Sequence, residues 1–137
     1  MRSKKVTRYW CDHCNRAGLQ AHAMARHEAH CTMNPLRKCR VCELLGEVTP
    51  VVADLVALLP KSVDYPSVGT TDEMNSLCEE VDAALPALRD AAHNCPACIM
   101  AALRQASIPV PMVDSFDFKG EMQSIFSDIN AERYPYG

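Results

Sequence analysis

Six of the eight cysteines in this 137-residue chain stand in three Cys-x-x-Cys pairs, Cys11/Cys14, Cys39/Cys42 and Cys95/Cys98. Two residues between thiols let both sulfurs face one ion, whereas cysteines this close rarely bond each other, so the spacing predicts metal knuckles. The first pair continues as Cys11-x2-Cys14-x12-His27-x3-Cys31. Four residues apart on a helix, His27 and Cys31 share a face and complete a tetrahedral nitrogen and sulfur set suited to zinc. The other two pairs predict a four-thiolate site, Cys39, Cys42, Cys95 and Cys98, with 52 residues, 43 to 94, between its knuckles. Closing so long a loop costs entropy, which ion binding worth about 10 kcal/mol or more offsets. Closed thiolate sites with one histidine and no cluster spacing favour zinc over iron. Two zinc ions are therefore the expected cofactors.

Other chemistry competes for the same residues. His30 stands in for Cys31 if the ligands run His27-x2-His30, while His13 points away from a normal knuckle and His22 reads as a solvated helix residue. A ribbon-like pairing of Cys11 and Cys14 with Cys39 and Cys42 also has workable spacing. A disulfide scaffold would need an oxidising compartment. Cys95-Pro96-Ala97-Cys98 at a helix start has the form of a redox pair, but the alternating strands of a thioredoxin-like fold are missing from the pattern. His27-Glu28-Ala29-His30 is one residue short of the metalloprotease motif. His93-Asn94 beside Cys95 is the one candidate for a nuclease base, without a second histidine nearby in sequence. Cys78 falls on an apolar helix stripe and reads as core.

The elements that must position these ligands are mostly helical. A small hairpin is expected around residues 8–18, then a helix from Gln20 to Cys31 that Asn34-Pro35 ends. Thr49-Pro50 predicts the start of a short helix to about Leu59, with Val51, Val52, Leu55, Val56, Leu58 and Leu59 mostly in the core. Residues 61–69 read as a loop, and Thr70 with Glu73 forms a capping-box pattern. The helix that follows carries Met74, Leu77, Cys78, Val81, Leu85 and Leu88 in one stripe, and Pro86 should kink or split it. A further helix runs from the third pair to about Gln105, with Ile99, Leu103 and Met100 inward. Pro109 and Pro111 then break the chain. Phe118, Met122, Ile125, Phe126 and Ile129 predict a last helix reaching Arg133. The fold class is mainly α: a basic arm and finger over 1–35, then a helical domain over 36–137 closed by the second zinc site.

Charge is divided along the chain. Residues 1–40 hold nine Lys or Arg against two acids, and residues 41–137 hold five against fifteen, within a net charge of −3. Such asymmetry suggests a basic face for nucleic acid and an acidic body for a protein partner, or two halves that attract each other. No apolar run has the length of a membrane span, and no apolar segment follows the polar start, which makes the cytoplasm the expected location. No small-molecule substrate is evident.

Residues 9–31 resemble the zinc finger with two cysteines and two histidines, with Cys31 in place of the second histidine. Tyr9 matches the aromatic residue before the first cysteine, and Met24 matches the core leucine. Gly18 stands where that family has a core phenylalanine. The resemblance implies a ββα unit whose helix presents Gln20, Ala23 and Arg26 to bases, with Arg2, Lys4, Lys5 and Arg8 on phosphates. Arg37, Lys38 and Arg40 extend that patch. The whole arrangement, with Cys39-x2-Cys42 after Asn34-Pro35 and Cys95-Pro96-Ala97-Cys98 before a helix to Gln105, resembles small zinc-binding proteins encoded by bacteriophages. That implies an accessory protein made in the host cytoplasm during infection and fits host-directed regulation, without choosing between DNA and protein targets. Together with the residues, the expected function is a non-enzymatic nucleic-acid-binding or regulatory protein, the alternative a protein-binding adaptor or inhibitor of host machinery. Phe116, Phe118, Tyr134 and Tyr136 are the candidate anchors for an adaptor.

Overall fold

Hydrogen bonding and helical periodicity organise the chain into two short strands and six α-helices among the residues that the computed structural model describes, 1–60 and 71–133. The expected loop over 61–69, the Thr70 cap, and Tyr134 and Tyr136 lie outside them. Strand β1 (Tyr9–Trp10) pairs antiparallel with β2 (Ala17–Gly18), Tyr9 opposite Gly18 and Trp10 opposite Ala17. Helix α1 (Ala21–His30) follows, with Gln20 and Cys31 as its caps. Then come α2 (Arg40–Leu44), α3 (Val52–Ala57), α4 (Thr71–Ala91), α5 (Pro96–Gln105), a 3₁₀ turn at Val110–Met112, and α6 (Phe118–Arg133). The chain is thus mostly helical with one small two-stranded sheet.

Helix α5 is the centre of the main core. Ile99, Ala101, Ala102 and Leu103 are fully buried, and the helix packs against both α3 and α6. The stripe of α4 supplies Leu77, Val81, Leu85 and Leu88 as expected, while Cys78 is only half-buried. Pro86 does not split α4, because the helix runs unbroken to Ala91. Its ring removes one ladder donor, but Pro86 is exposed and Asp82, four residues back, is half-exposed, so water can reach the freed carbonyl.

Thr49 does not cap α3. Its Oγ1 accepts the Cys39 N–H at 3.0 Å, and Val51 becomes the N-cap instead. That shift leaves Val51 and Leu58 exposed while Val52, Leu55 and Leu59 enter the core. At the far end of the chain Phe116 is buried and Phe118 packs on the core. Neither is free to anchor a partner.

Helix α6 is docked by polar contacts as well. Asp117 caps it by accepting the Gly120 N–H at 3.2 Å, and Glu121 accepts the Asp117 N–H at 3.2 Å. Glu121 also pairs with Arg89 of α4, whose guanidinium lies 5.8 Å from the Phe116 ring centroid.

The junction between α4 and α5 is unusual. His93 and Asn94 both adopt left-handed backbone, φ 53° and 56°. The reversal lets the Asn94 N–H reach Arg89 O at 2.8 Å and the Cys95 N–H reach Ala92 O at 2.9 Å. Left-handed geometry is costly for a residue with a Cβ, least so for asparagine. Asn94→Val should therefore lower the unfolding free energy by about 1–2 kcal/mol, with Asn94→Gly unchanged or slightly more stable, as read by denaturant unfolding of the metal-loaded protein. Equal stability of the two variants would refute a strain role for this turn.

Candidate metal centres

The first cluster is assembled by the hairpin and α1. The Cys11 N–H donates to Arg16 O at 3.0 Å across the strand reversal, and the His13 N–H points at Cys11 Sγ at 3.4 Å. This turn presents Cys11 and Cys14, while α1 presents His27 from its last turn and Cys31 from its C-cap. His27 Nε2 stands 3.3 Å from Cys14 Sγ. Met24 is buried beneath them, and its Cε lies 3.7 Å from where a Cβ on Gly18 would sit. The flexible methionine thus fills the space next to Gly18.

The second cluster is built from two equivalent knuckles. Cys39 is the N-cap of α2 with Cys42 inside its first turn, and Cys95 is the N-cap of α5 with Cys98 inside its first turn. Pro96 at the start of α5 fixes the helical entry and removes a donor that would have had no partner. Cys39 Sγ lies 3.6 Å from Cys95 Sγ, and Cys42 Sγ lies 3.5 Å from Cys98 Sγ. All four residues are 0% exposed. The turn after α2 reverses at Gly46, φ 72°, and returns the Glu47 N–H to Cys42 O at 2.8 Å.

Within each cluster the four ligand atoms lie within 4.8 Å of one another. Around a tetrahedral ion with metal–sulfur bonds of about 2.3 Å, neighbouring sulfurs stand about 3.8 Å apart. The observed 3.5 and 3.6 Å edges fit that geometry closely, and all eight cysteines are free thiols. Both groups can therefore hold a metal ion. The ribbon-like pairing of Cys11 and Cys14 with Cys39 and Cys42 is not formed. His30 is not among the ligands, since its Nδ1 lies 2.8 Å from Lys38 O. His13 and His22 are exposed and belong to neither cluster, and Cys78 is likewise apart.

Arg37 corrects the sequence expectation of a surface phosphate contact. It is only 8% exposed, its Nη1 donates to Cys98 Sγ at 3.8 Å, and its Nε has no partner. A buried guanidinium needs a countercharge. Four thiolates around a divalent ion keep two net negative charges, and Arg37 neutralises part of them. The signal that might have flagged Arg37 is its position two residues before Cys39, but lysine and arginine at such a place are commonly solvated. The other expected contacts, Arg2, Lys4, Lys5, Arg8, Gln20, Arg26, Lys38 and Arg40, are exposed.

Without metal, the second cluster shares its protons unevenly. Hydrogen bonds from the Cys95 and then the Cys98 thiol hold Cys39 far below the ordinary thiol range. The bond to Cys39 pushes Cys98 and Cys95 up, and burial pushes Cys42 up to about 12. In the first cluster, the hydrogen bond with the Arg16 backbone lowers Cys14 and burial raises Cys31.

The segment between the clusters is tied down. Lys38 donates its N–H to Ala29 O at 2.9 Å, and Asn34 bridges to Glu28 O at 2.8 Å. From α5, Arg104 donates to Thr32 Oγ1 at 3.0 Å and Gln105 to the carbonyls of Thr32 and Asn34 at 2.8 and 3.0 Å. Compared with known protein families, curated proteins and solved structures, the chain matches none of them.

Two predictions follow from the ligand chemistry. Protons compete with the ion for Cys42, Cys95 and Cys98, so metal affinity is strongest at high pH and is lost as pH falls. The loss should be about ten-fold per pH unit for each proton displaced, measured by chelator competition between pH 6 and 8; a flat profile would exclude these thiols as ligands. Separately, Cys11→Ser or His27→Ala should remove one ion and disorder residues 9–31 while the helices from α3 onward persist. Cys39→Ser or Cys95→Ser should instead loosen the helical core, and amide NMR spectra distinguish the two patterns.

Proposed function

We propose that the chain is a non-enzymatic zinc protein in which two structural ions brace a nucleic-acid-binding surface. The first cluster then belongs to a variant ββα zinc finger with Cys31 as its fourth ligand. The observation that carries the reading is the completeness of both donor sets: each brings four protein ligand atoms within 4.8 Å of one another. A tetrahedral ion held this way has no position for water or substrate, whereas catalytic zinc keeps one open. The ions therefore act by holding elements together, and function lies on the surface they support.

That surface is the basic half of the chain. Gln20, Ala23 and Arg26 are exposed on and beside α1, and the arm residues Arg2, Lys4, Lys5 and Arg8 are exposed ahead of β1. Lysine and arginine there supply phosphate affinity, and Gln20 and Arg26 have the donors to read adenine and guanine. A regulatory role toward host machinery rests on the resemblance to bacteriophage zinc proteins alone.

A second reading, a protein-binding adaptor, draws on one observation. Leu44, Leu45, Val48 and Val51 are all exposed between the end of α2 and the start of α3. No helix among the described residues is long and apolar enough to cross a membrane.

The deciding experiment is native mass spectrometry of reduced protein, followed by binding to labelled nucleic acid at rising salt. The expected result is two zinc ions per chain. Four phosphate contacts through the arm should cost about 100-fold in affinity between 50 and 200 mM salt. Two zincs without nucleic-acid binding at low salt would move the function to the adaptor; fewer than two would overturn the metal assignment.

A further inference from the structure

A groove of about 850 Å³ opens beside α1 over the first cluster, where Cys14, His27 and Cys31 line it, and reaches Arg40 and Arg104 of the helical body. Four arginines line it: Arg16 from the hairpin, Arg26 from α1, Arg40 from the start of α2 and Arg104 from α5. No aspartate or glutamate lines it, and among the described residues none of the four has a carboxylate within 4.0 Å. Arg104 spends one donor on Thr32. Four guanidinium groups facing one depression outnumber the single net negative charge that three thiolates and one imidazole around a divalent ion would carry, and an anion in the depression lowers the repulsion that remains. Part of the lining between them is apolar, with Leu19, Ala23 and Met24.

We infer that this groove binds a segment of single-stranded nucleic acid, with Arg16, Arg40 and Arg104 on phosphates, Arg26 beside a base, and the apolar part of the lining beneath sugars or bases. The inference rests on the nucleic-acid reading above and names the site and the form of the partner. Two observations favour a single strand over a duplex. The volume is that of a pocket for small ligands, enough for a few nucleotides only. A recognition helix must also fill a major groove about 12 Å wide with its own diameter of about 10–12 Å, but here the flank of α1 that bears Ala23 and Arg26 is one wall of a depression whose far side carries Arg40 and Arg104. Trp10, 58% exposed and paired with Ala17 of the groove lining, adds an aromatic face at the hairpin end on which a base can stack.

The test uses the full zinc-loaded chain and fluorescence anisotropy with a 20-nucleotide oligothymidine, the corresponding duplex, and polyglutamate as a competitor. Three variants are compared: Arg40→Gln, Arg16→Gln/Arg40→Gln, and the arm variant Lys4→Gln/Lys5→Gln. Native mass spectrometry confirms two ions in each, and Arg104 is left intact because it also ties Thr32 to α5. The single strand should bind at least ten-fold more tightly than the duplex. Arg16→Gln/Arg40→Gln should weaken it at least ten-fold and reduce the salt slope by about 1.4, two phosphate contacts at about 0.7 each. Equal or tighter duplex binding overturns the single-strand assignment. Full binding by the groove variants, with loss confined to the arm variant, overturns the groove and leaves nucleic-acid binding standing. Polyglutamate displacing the strand at equal charge assigns the groove to an acidic protein surface instead, and absence of binding to either nucleic acid overturns both readings together.

Discussion

The sulfurs of Cys39, Cys42, Cys95 and Cys98 converge from two stretches separated by 52 residues, 43 to 94. Bringing such ends together removes about 4 kcal/mol of chain entropy. An ion bound here with an apparent free energy of about 10–16 kcal/mol would exceed that cost several-fold, and metal binding and closure of the helical part would then be one event. The intervening α3 and α4 do not stabilise the closure by length alone. They bury Val52, Leu55, Val81, Leu85 and Leu88, giving the loop its own apolar reason to fold back. The same cysteines belong to that core cluster, which places the ion at the boundary where helix starts and hydrophobic packing meet.

Enclosing a cluster of negative sulfurs so completely would be unfavourable without compensation. Arg37 supplies it from a segment that also links the two centres, since the residues from Cys31 to Cys39 are hydrogen-bonded to α1 on one side and to α5 on the other. The hairpin and α1 are therefore not tethered beads. Arg104 and Gln105 hold Thr32 and Asn34, just beyond α1, against the end of α5, and arginines from distant parts of the chain meet around one groove.

Much of this was legible in the sequence where the determining interactions are local. The Cys-x-x-Cys spacing, the four-residue step from His27 to Cys31, and the stripe Leu77, Val81, Leu85 and Leu88 each state their geometry within a few residues. The pairing of the second and third knuckles was expected from the ligands left over by the first site, with a ribbon-like rival that only the three-dimensional grouping removes. What could not be read depends on contacts between remote segments. Arg37 looked like part of an exposed phosphate-binding patch until Cys98 came beside it. Thr49 looked like a helix cap until the Cys39 N–H claimed its oxygen, and Pro86 looked like a break because sequence alone does not reveal that its face of α4 meets water. The consecutive left-handed residues His93 and Asn94 carried no glycine to announce them.

The unequal spans of the two ligand sets set an order of assembly during synthesis, which proceeds from the N-terminus. The first set is complete once Cys31 has left the ribosome, and its ion can then be captured by a short, local unit. Cys39 and Cys42 emerge soon afterwards but must wait until Cys98 follows, with most of the helical core still unmade. During that interval a half-built pair of thiols sits next to a finished centre, the state in which the nascent chain is most open to exchanging an ion or to oxidation.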